Sequence, residues 1–184
     1  MFSQPDKKLQ IESGLKKFKG GLSKVREADF YFNVAVVYFA LGDFTKSLHW
    51  LNRLLNDTHL DANQDIHAFA RILDLVVHLE MGNKELIPYT LRSVQRYLDV
   101  RKRMFRFETV FLDFIKKIAR ARNEEDKQTS YIELQEELKH IAEDAYEKQV
   151  FEQFDFQSWV ESKIRNVPFA DVVREKIKNQ KVKH

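Results

Sequence analysis

Residues 38–44 read Tyr38-Phe39-Ala40-Leu41-Gly42-Asp43-Phe44, and 40 residues further on the chain reads His78-Leu79-Glu80-Met81-Gly82-Asn83-Lys84. Each copy breaks a mostly apolar run at a glycine that is followed at once by Asp or Asn. Glycine takes the left-handed position after the last residue of a helix at little cost, and Asp or Asn caps a helix that follows. The echo extends outward from the turns: Ala35, Val36, Val37 and Phe39 correspond to Leu75, Val76, Val77 and Leu79, and Leu51 and Leu54 to Leu91 and Val94. Before Gly42, Phe32, Ala35, Val36 and Phe39 recur at helical spacing behind a cap at Asp29, and after it Phe44, Leu48, Leu51, Leu54 and Leu55 do the same. The pattern predicts a helical hairpin, used twice, whose short connections make its helices antiparallel neighbours.

Extending this grammar gives hairpin 1 over 29–60 and hairpin 2 over 61–104. The second starts from a cap at Asp61, and its second helix runs from Asn83 to about Arg101, with Pro88 tolerated near its start or mildly kinking it. Hairpin 3 covers 105–150. Its first helix, 106–121, carries Phe107, Val110, Phe111, Phe114, Ile115 and Ile118; Asn123 stands in for glycine at the turn; the partner helix runs from about 129 to 148 with Ile132, Leu134, Leu138, Ile141, Ala142 and Ala145 as apolar positions. Residues 151–184 hold C-terminal helices: Asp155 caps a stretch with Phe156, Trp159, Val160 and Ile164, Pro168 opens a last helix reaching about Ile177, and 178–184 fray. Residues 1–28 read as an N-terminal amphipathic helix with Leu9, Leu15, Phe18 and Leu22, ending near Gly20-Gly21. No Pro- or Ser-rich linker divides the chain, so 1–184 forms a single helical-repeat domain. The expected fold is all-α: a right-handed α-solenoid of about three stacked antiparallel hairpins with extra terminal helices.

Composition agrees. With 43% hydrophobic residues, 15 Phe, 6 Tyr and 2 Trp, most of the 184-residue chain cannot be disordered. Five Gly and three Pro argue against a turn-rich β fold and glycine-rich phosphate loops, and the lack of cysteine removes disulfides, thiol nucleophiles, iron–sulfur clusters and Cys-based zinc sites. No apolar run approaches the ~18–20 residues that span a bilayer, so no membrane partner is implied. The opening Met1-Phe2-Ser3-Gln4-Pro5-Asp6 lacks the apolar segment of a secretory signal, which makes the cytoplasm the expected compartment.

Tyr31, Val34, Ala35, Tyr38, Gly42-Asp43-Phe44, Ser47, Leu51 and Leu54 stand in an order that resembles the tetratricopeptide repeat. The second copy departs from it: Arg71 and Asp74 occupy packing positions, His78 replaces an aromatic, Ile87 replaces a small residue, and the period is 40 rather than ~34. The stretch 73–107, with Leu75-Val76-Val77, Gly82-Asn83, Ser93, Tyr97-Leu98 and Arg103-Met104-Phe105-Arg106-Phe107, is also similar to uncharacterised bacterial proteins of tetratricopeptide type. The resemblance rests on packing residues and implies a tetratricopeptide-like solenoid, with no activity attached.

Catalytic signals are lacking. Glu137-Leu138-Lys139-His140 has the Glu-x-x-His spacing of di-iron bundles, but such sites need two copies and the sequence holds one, while Glu133, Glu136, Glu137 and His140 suit a solvated helix face. His78 aligns with Tyr38 as a packing residue, and His49, His59 and His67 lack partners at ligand spacing. Nucleophile elbows, Walker loops and zincin helices do not occur. The expectation is a non-enzymatic chain without metal or cofactor.

Charge is uneven: 11 basic and 4 acidic residues over 83–122, then 3 and 12 over 123–161. The basic group comprises Arg92, Arg96, Arg101-Lys102-Arg103, Arg106, Lys116, Lys117, Arg120 and Arg122, a ridge suited to phosphate or an acidic peptide. In the competing reading the third hairpin lays its basic helix beside its acidic one and neutralises the ridge internally. The leading functional expectation is a protein-binding module or scaffold whose concave surface takes a peptide or helix, lined by Phe32, Val36, Phe39, Phe69, Ile72, Val76 and Leu79 and grading into Lys116 and Arg120. Such a groove favours an amphipathic, acidic partner segment. Set against it, with equal weight, the same apolar residues pack under the N-terminal helix or the Trp159 segment. A second function class is nucleic-acid binding through the ridge 92–122; a third reading makes the chain a fragment or capping portion of a longer solenoid.

Overall fold

In the computed structural model, which describes residues 23–57, 64–101, 105–147 and 150–182, both glycines of the echo lie in the left-handed region, Gly42 at φ 71° and Gly82 at φ 69°. Each closes the same turn. Gly42 N–H donates to the Phe39 carbonyl and Asp43 N–H to that of Tyr38; Gly82 N–H donates to Leu79 and Asn83 N–H to His78. This is the Schellman pairing that satisfies the last carbonyls of a helix. A Cβ at either glycine would meet nothing within 4 Å, so only the backbone conformation opposes a side chain. Gly42→Ala and Gly82→Ala should each cost about 1–2 kcal/mol and the Asn variants less, read by urea denaturation; a neutral Ala variant would show that the turn relaxes.

The described residues form nine helices and no strand: α1 Lys24–Ala40, α2 Phe44–Asn56, α3 Gln64–Glu80, α4 Ile87–Val100, α5 Arg106–Arg120, α6 Glu124–Glu143, α7 Val150–Gln153, α8 Phe156–Arg165 and α9 Phe169–Val182. From α1 to α6 each helix packs on the next, α1 also packs on α3, and α8 packs on α6 and carries α9. The small side chain of Ser47 lets α2 approach α1 closely enough for its hydroxyl to donate to the Ala35 carbonyl at 2.8 Å. One cluster of buried side chains runs through the molecule, from Ala28 in α1 to Val160 in α8.

Several helix ends differ from the sequence expectation. Asp29 lies inside α1, which starts behind Ser23. After Gly82, residues 84–86 add a turn, so α4 starts at Ile87 with Pro88 in its first turn, where a missing N–H breaks no helical bond. Asn123 is not a glycine substitute: with φ −146° it is the N-cap of α6, its side chain accepting from Asp126 N–H at 2.7 Å. The α6 helix accordingly starts at Glu124 and ends at Glu143, and Ile132 and Ala145 are exposed. Asp155 does cap α8, accepting from Ser158 N–H at 2.8 Å, and α9 continues to Val182, past the fraying expected after Ile177. The N-terminal helix expected before Gly20-Gly21 and the cap at Asp61 lie outside the described residues.

A tertiary cap holds α5. Both carboxylate oxygens of buried Glu147 accept from the start of this helix, from Arg106 N–H at 2.7 Å and Phe107 N–H at 3.2 Å. Glu147→Ala should lower stability by about 1.5–3 kcal/mol, since both N–H groups lose a charged acceptor. Guanidinium unfolding measures it, and a change below the low end would mean that water takes the carboxylate's place.

Candidate functional site

Five residues of the row expected to line a concave surface, Phe32, Phe39, Phe69, Ile72 and Val76, are buried, while Val36 and Leu79 are half-buried. The C-terminal segment covers the first helices of the expected pairs. On α1, the Phe39 ring meets Phe154 at 5.2 Å and Phe169 at 5.5 Å. On α3, Glu80 accepts from Trp159 Nε1 at 2.7 Å and from Lys163 Nζ at 2.5 Å. On α5, Phe111 meets Phe156 at 5.4 Å and Trp159 at 6.0 Å. Lys116 and Arg120 instead face solvent on α5, Lys116 paired with Asp113 at 2.8 Å. The nine residues thus form no continuous open surface. Their apolar part belongs to the core, with Phe39 packed against Phe154 and Phe169 of the C-terminal segment.

Within the basic ridge, Arg106 pairs with Glu137 at 2.9 Å and Lys117 with Glu133 at 2.7 Å, joining basic α5 to acidic α6. Arg101 is buried, bonded to Glu108 and Asp65. Glu137 is therefore engaged with Arg106, His140 is exposed, and among the described residues no group of three His, Cys, Asp or Glu side chains could hold a metal. No helix among them is long and apolar enough to cross a membrane.

The departures of the second repeat become a polar cluster between α3 and its turn. Arg71 stacks over the Tyr97 ring at 4.4 Å, and buried His78 lies between Asp74, 3.8 Å from its Nε2, and the Asn83 amide, 3.1 Å from its Nδ1. Burial raises the Asp74 pKa against the opposing pull of His78 and Arg71. A raised folded pKa means that folding takes up a proton: the group's contribution is complete below the ordinary carboxylate range and is lost as pH rises through the folded value. Asp74→Asn, neutral at every pH, should therefore gain on the wild type between pH 4 and pH 7 in urea unfolding. A relative loss would show that the ion pairs outweigh burial.

Beside this cluster the ends of five helices leave a cavity of about 390 Å³. The end of α3 supplies His78 and Leu79, the start of α4 Ile87 and Pro88, the end of α5 Ile118 and Ala119, the start of α6 Glu124, Lys127 and Tyr131, and the end of α8 Lys163. Gly82 and Lys84 from the α3–α4 turn, and Asn166, left-handed at φ 52° where α8 stops, complete it. Apolar and polar side chains share the lining, Gln128 and three lysines among the latter. Lys127 is bonded to Glu124 and Lys163 to Glu80, whereas the Lys84 side chain has no ion-pair partner among the described residues. Tyr131 packs against Phe114 and Trp159, and its hydroxyl makes no hydrogen bond among the described residues. Burial, with the charges of Glu80 and Glu124, raises its pKa, so the phenol remains a donor.

None of these lining residues stands out in the sequence as a site. Lys84 lies in the α3–α4 turn, Lys127 in α6 and Lys163 in α8, far apart in the chain, and no local spacing joins them. The chain matches no family model, no curated protein and no solved structure.

Proposed function

We propose that the chain is a non-enzymatic protein-interaction module: a tetratricopeptide-like, right-handed solenoid of three helical hairpins, closed on its concave side by its own C-terminal helices, that receives a segment of a partner protein at the turn end. The cavity between the ends of α3, α4, α5, α6 and α8 carries this reading. It is a recess of about 390 Å³ lined by both apolar and polar side chains, within the ~300–1,000 Å³ range of binding pockets. The repeated Schellman turn, the packing of α1 on α3 and the burial of Tyr31, Val34, Ala35, Tyr38, Ser47, Leu51 and Leu54 support the repeat architecture. The carboxylates of α6 beside basic α5, Glu137 next to Arg106 and Glu133 next to Lys117, lower the positive potential that a polyphosphate backbone would meet there, which favours a protein partner over nucleic acid.

The test is capture from nuclease-treated native lysate on the wild type and on Ala119→Trp, which puts an indole into the cavity wall, after circular dichroism has shown both to be folded. Specific proteins held by the wild type and lost from the variant are expected. An unchanged protein set on Ala119→Trp, or capture that vanishes with nuclease and salt, overturns the proposal.

A further inference from the structure

Resting on the turn-end reading above, we infer that the partner segment is acidic and carries a bulky apolar side chain, which fills the cavity while neighbouring carboxylates meet Lys84 and Lys127. Leu79, Ile87, Pro88, Ile118 and Ala119 give the lining an apolar part against which a Leu, Phe or Trp side chain can pack, and the space is large enough to hold one. The rim has the opposite character. Three lysines line it with Glu124, and Glu80 lies against Lys163, so the rim holds one cation more than its carboxylates, that of Lys84.

The lysines are unequally available. Lys163 is tied to half-buried Glu80, which also holds Trp159, so it belongs to the structure. Lys84 has no ion-pair partner among the described residues, and the partner of Lys127 is the exposed Glu124. An exposed pair of that kind contributes so little that an arriving carboxylate exchanges with it readily. The Tyr131 hydroxyl, a donor without an acceptor among the described residues, supplies a further contact on the wall.

A chain segment fits better than a small anion because the apolar surface continues past the mouth. Leu86 and Tyr89 flank the lining residues Ile87 and Pro88 and are 46% and 67% exposed, and Met81 stands exposed beside Gly82. The Arg92 guanidinium lies over the Tyr89 ring at 5.0 Å and adds positive charge to this flank. Apolar side chains interleaved with cations, leading away from the recess, are the complement of an amphipathic acidic peptide.

A random peptide display library panned against the full chain tests both levels, followed by anisotropy titrations of the most enriched peptide, synthesised and labelled, into the wild type, Lys84→Glu/Lys127→Glu and Ala119→Trp. The expected consensus places Asp or Glu around one Leu, Phe or Trp. Affinity should fall 10- to 100-fold in the double variant, with a flatter salt dependence, and be lost in Ala119→Trp. Enriched peptides without acidic residues, blocked by Ala119→Trp and indifferent to the lysine reversals, overturn the acidic assignment and leave the turn-end site standing. Failure to enrich any peptide, or binding indifferent to Ala119→Trp, overturns the turn-end reading and this inference with it.

Discussion

Trp159→Ala is expected to destabilise the protein by about 3–5 kcal/mol, the range for deleting a large buried aromatic side chain, and to lower its midpoint temperature by roughly 6–20 °C. The indole is fully buried and lies 5.8–6.0 Å, centroid to centroid, from the rings of Phe111, Phe114 and Tyr131. Truncation opens a cavity at the junction of α5, α6 and α8. It also removes the N–H donor from Glu80, leaving that carboxylate to Lys163 alone. Trp159→Phe keeps most of the ring contacts and should cost about 1–3 kcal/mol, mainly for the unpaired acceptor. Urea unfolding followed by circular dichroism measures both. A cost below about 1 kcal/mol for the alanine variant would mean that α8 does not pack on α5 and α6 in solution.

Arg101→Ala should be as damaging, at about 3–5 kcal/mol, because removing one partner of a buried ion pair strands the other charge. The Arg101 side chain is 3% exposed and bonds to Glu108, whose side chain is fully buried, and at 3.3 Å to Asp65. Glu108 also caps the start of α5, its other oxygen accepting from Phe105 N–H at 3.1 Å. Burial raises the Glu108 pKa, opposed by that N–H and by Arg101. Removal of Arg101 takes away one opposing charge, so the loss should shrink as pH falls through the carboxylate range and Glu108 takes up its proton. The double variant Arg101→Met/Glu108→Gln, which buries no charge and keeps the cap acceptor, should recover most of the stability at pH 7. Equal losses in the single and double variants would show that the pair acts through more than its charges.

The helix stops at Gly42 and Gly82 can be read directly, because a left-handed residue after a helix leaves a local mark in the sequence. The cap at Asp155 is legible for the same reason. Asn123 shows the limit of such marks: Asn serves both as a left-handed residue and as an N-cap, and the acidic run Glu124, Glu125, Asp126 behind it belongs to the first turn of a helix. Ile132 and Leu134 share a residue type, yet two helical positions apart they point to opposite sides; the buried row of α6 is Ser130, Leu134, Leu138 and Ile141. Whether Phe39 and Val76 line a groove or a core depends on where Phe154 and Trp159 return in space, and no spacing within one segment encodes that. The cavity is hidden for a related reason, since its wall exists only where five helix ends meet.

The ties of Glu80 also impose an order in time. Its two donors, Trp159 and Lys163, follow it by 79 and 83 residues. At about 5–20 residues per second, a ribosome needs roughly 4–16 s after adding Glu80 to add Trp159. Through that interval the nascent chain carries Phe39, and in its later part Phe111 and Phe114, without the C-terminal aromatic residues that pack on them. A later-made segment therefore seals earlier ones, and a ribosome stalled before residue 159 holds a chain with uncovered aromatic side chains, the kind of surface a chaperone recognises.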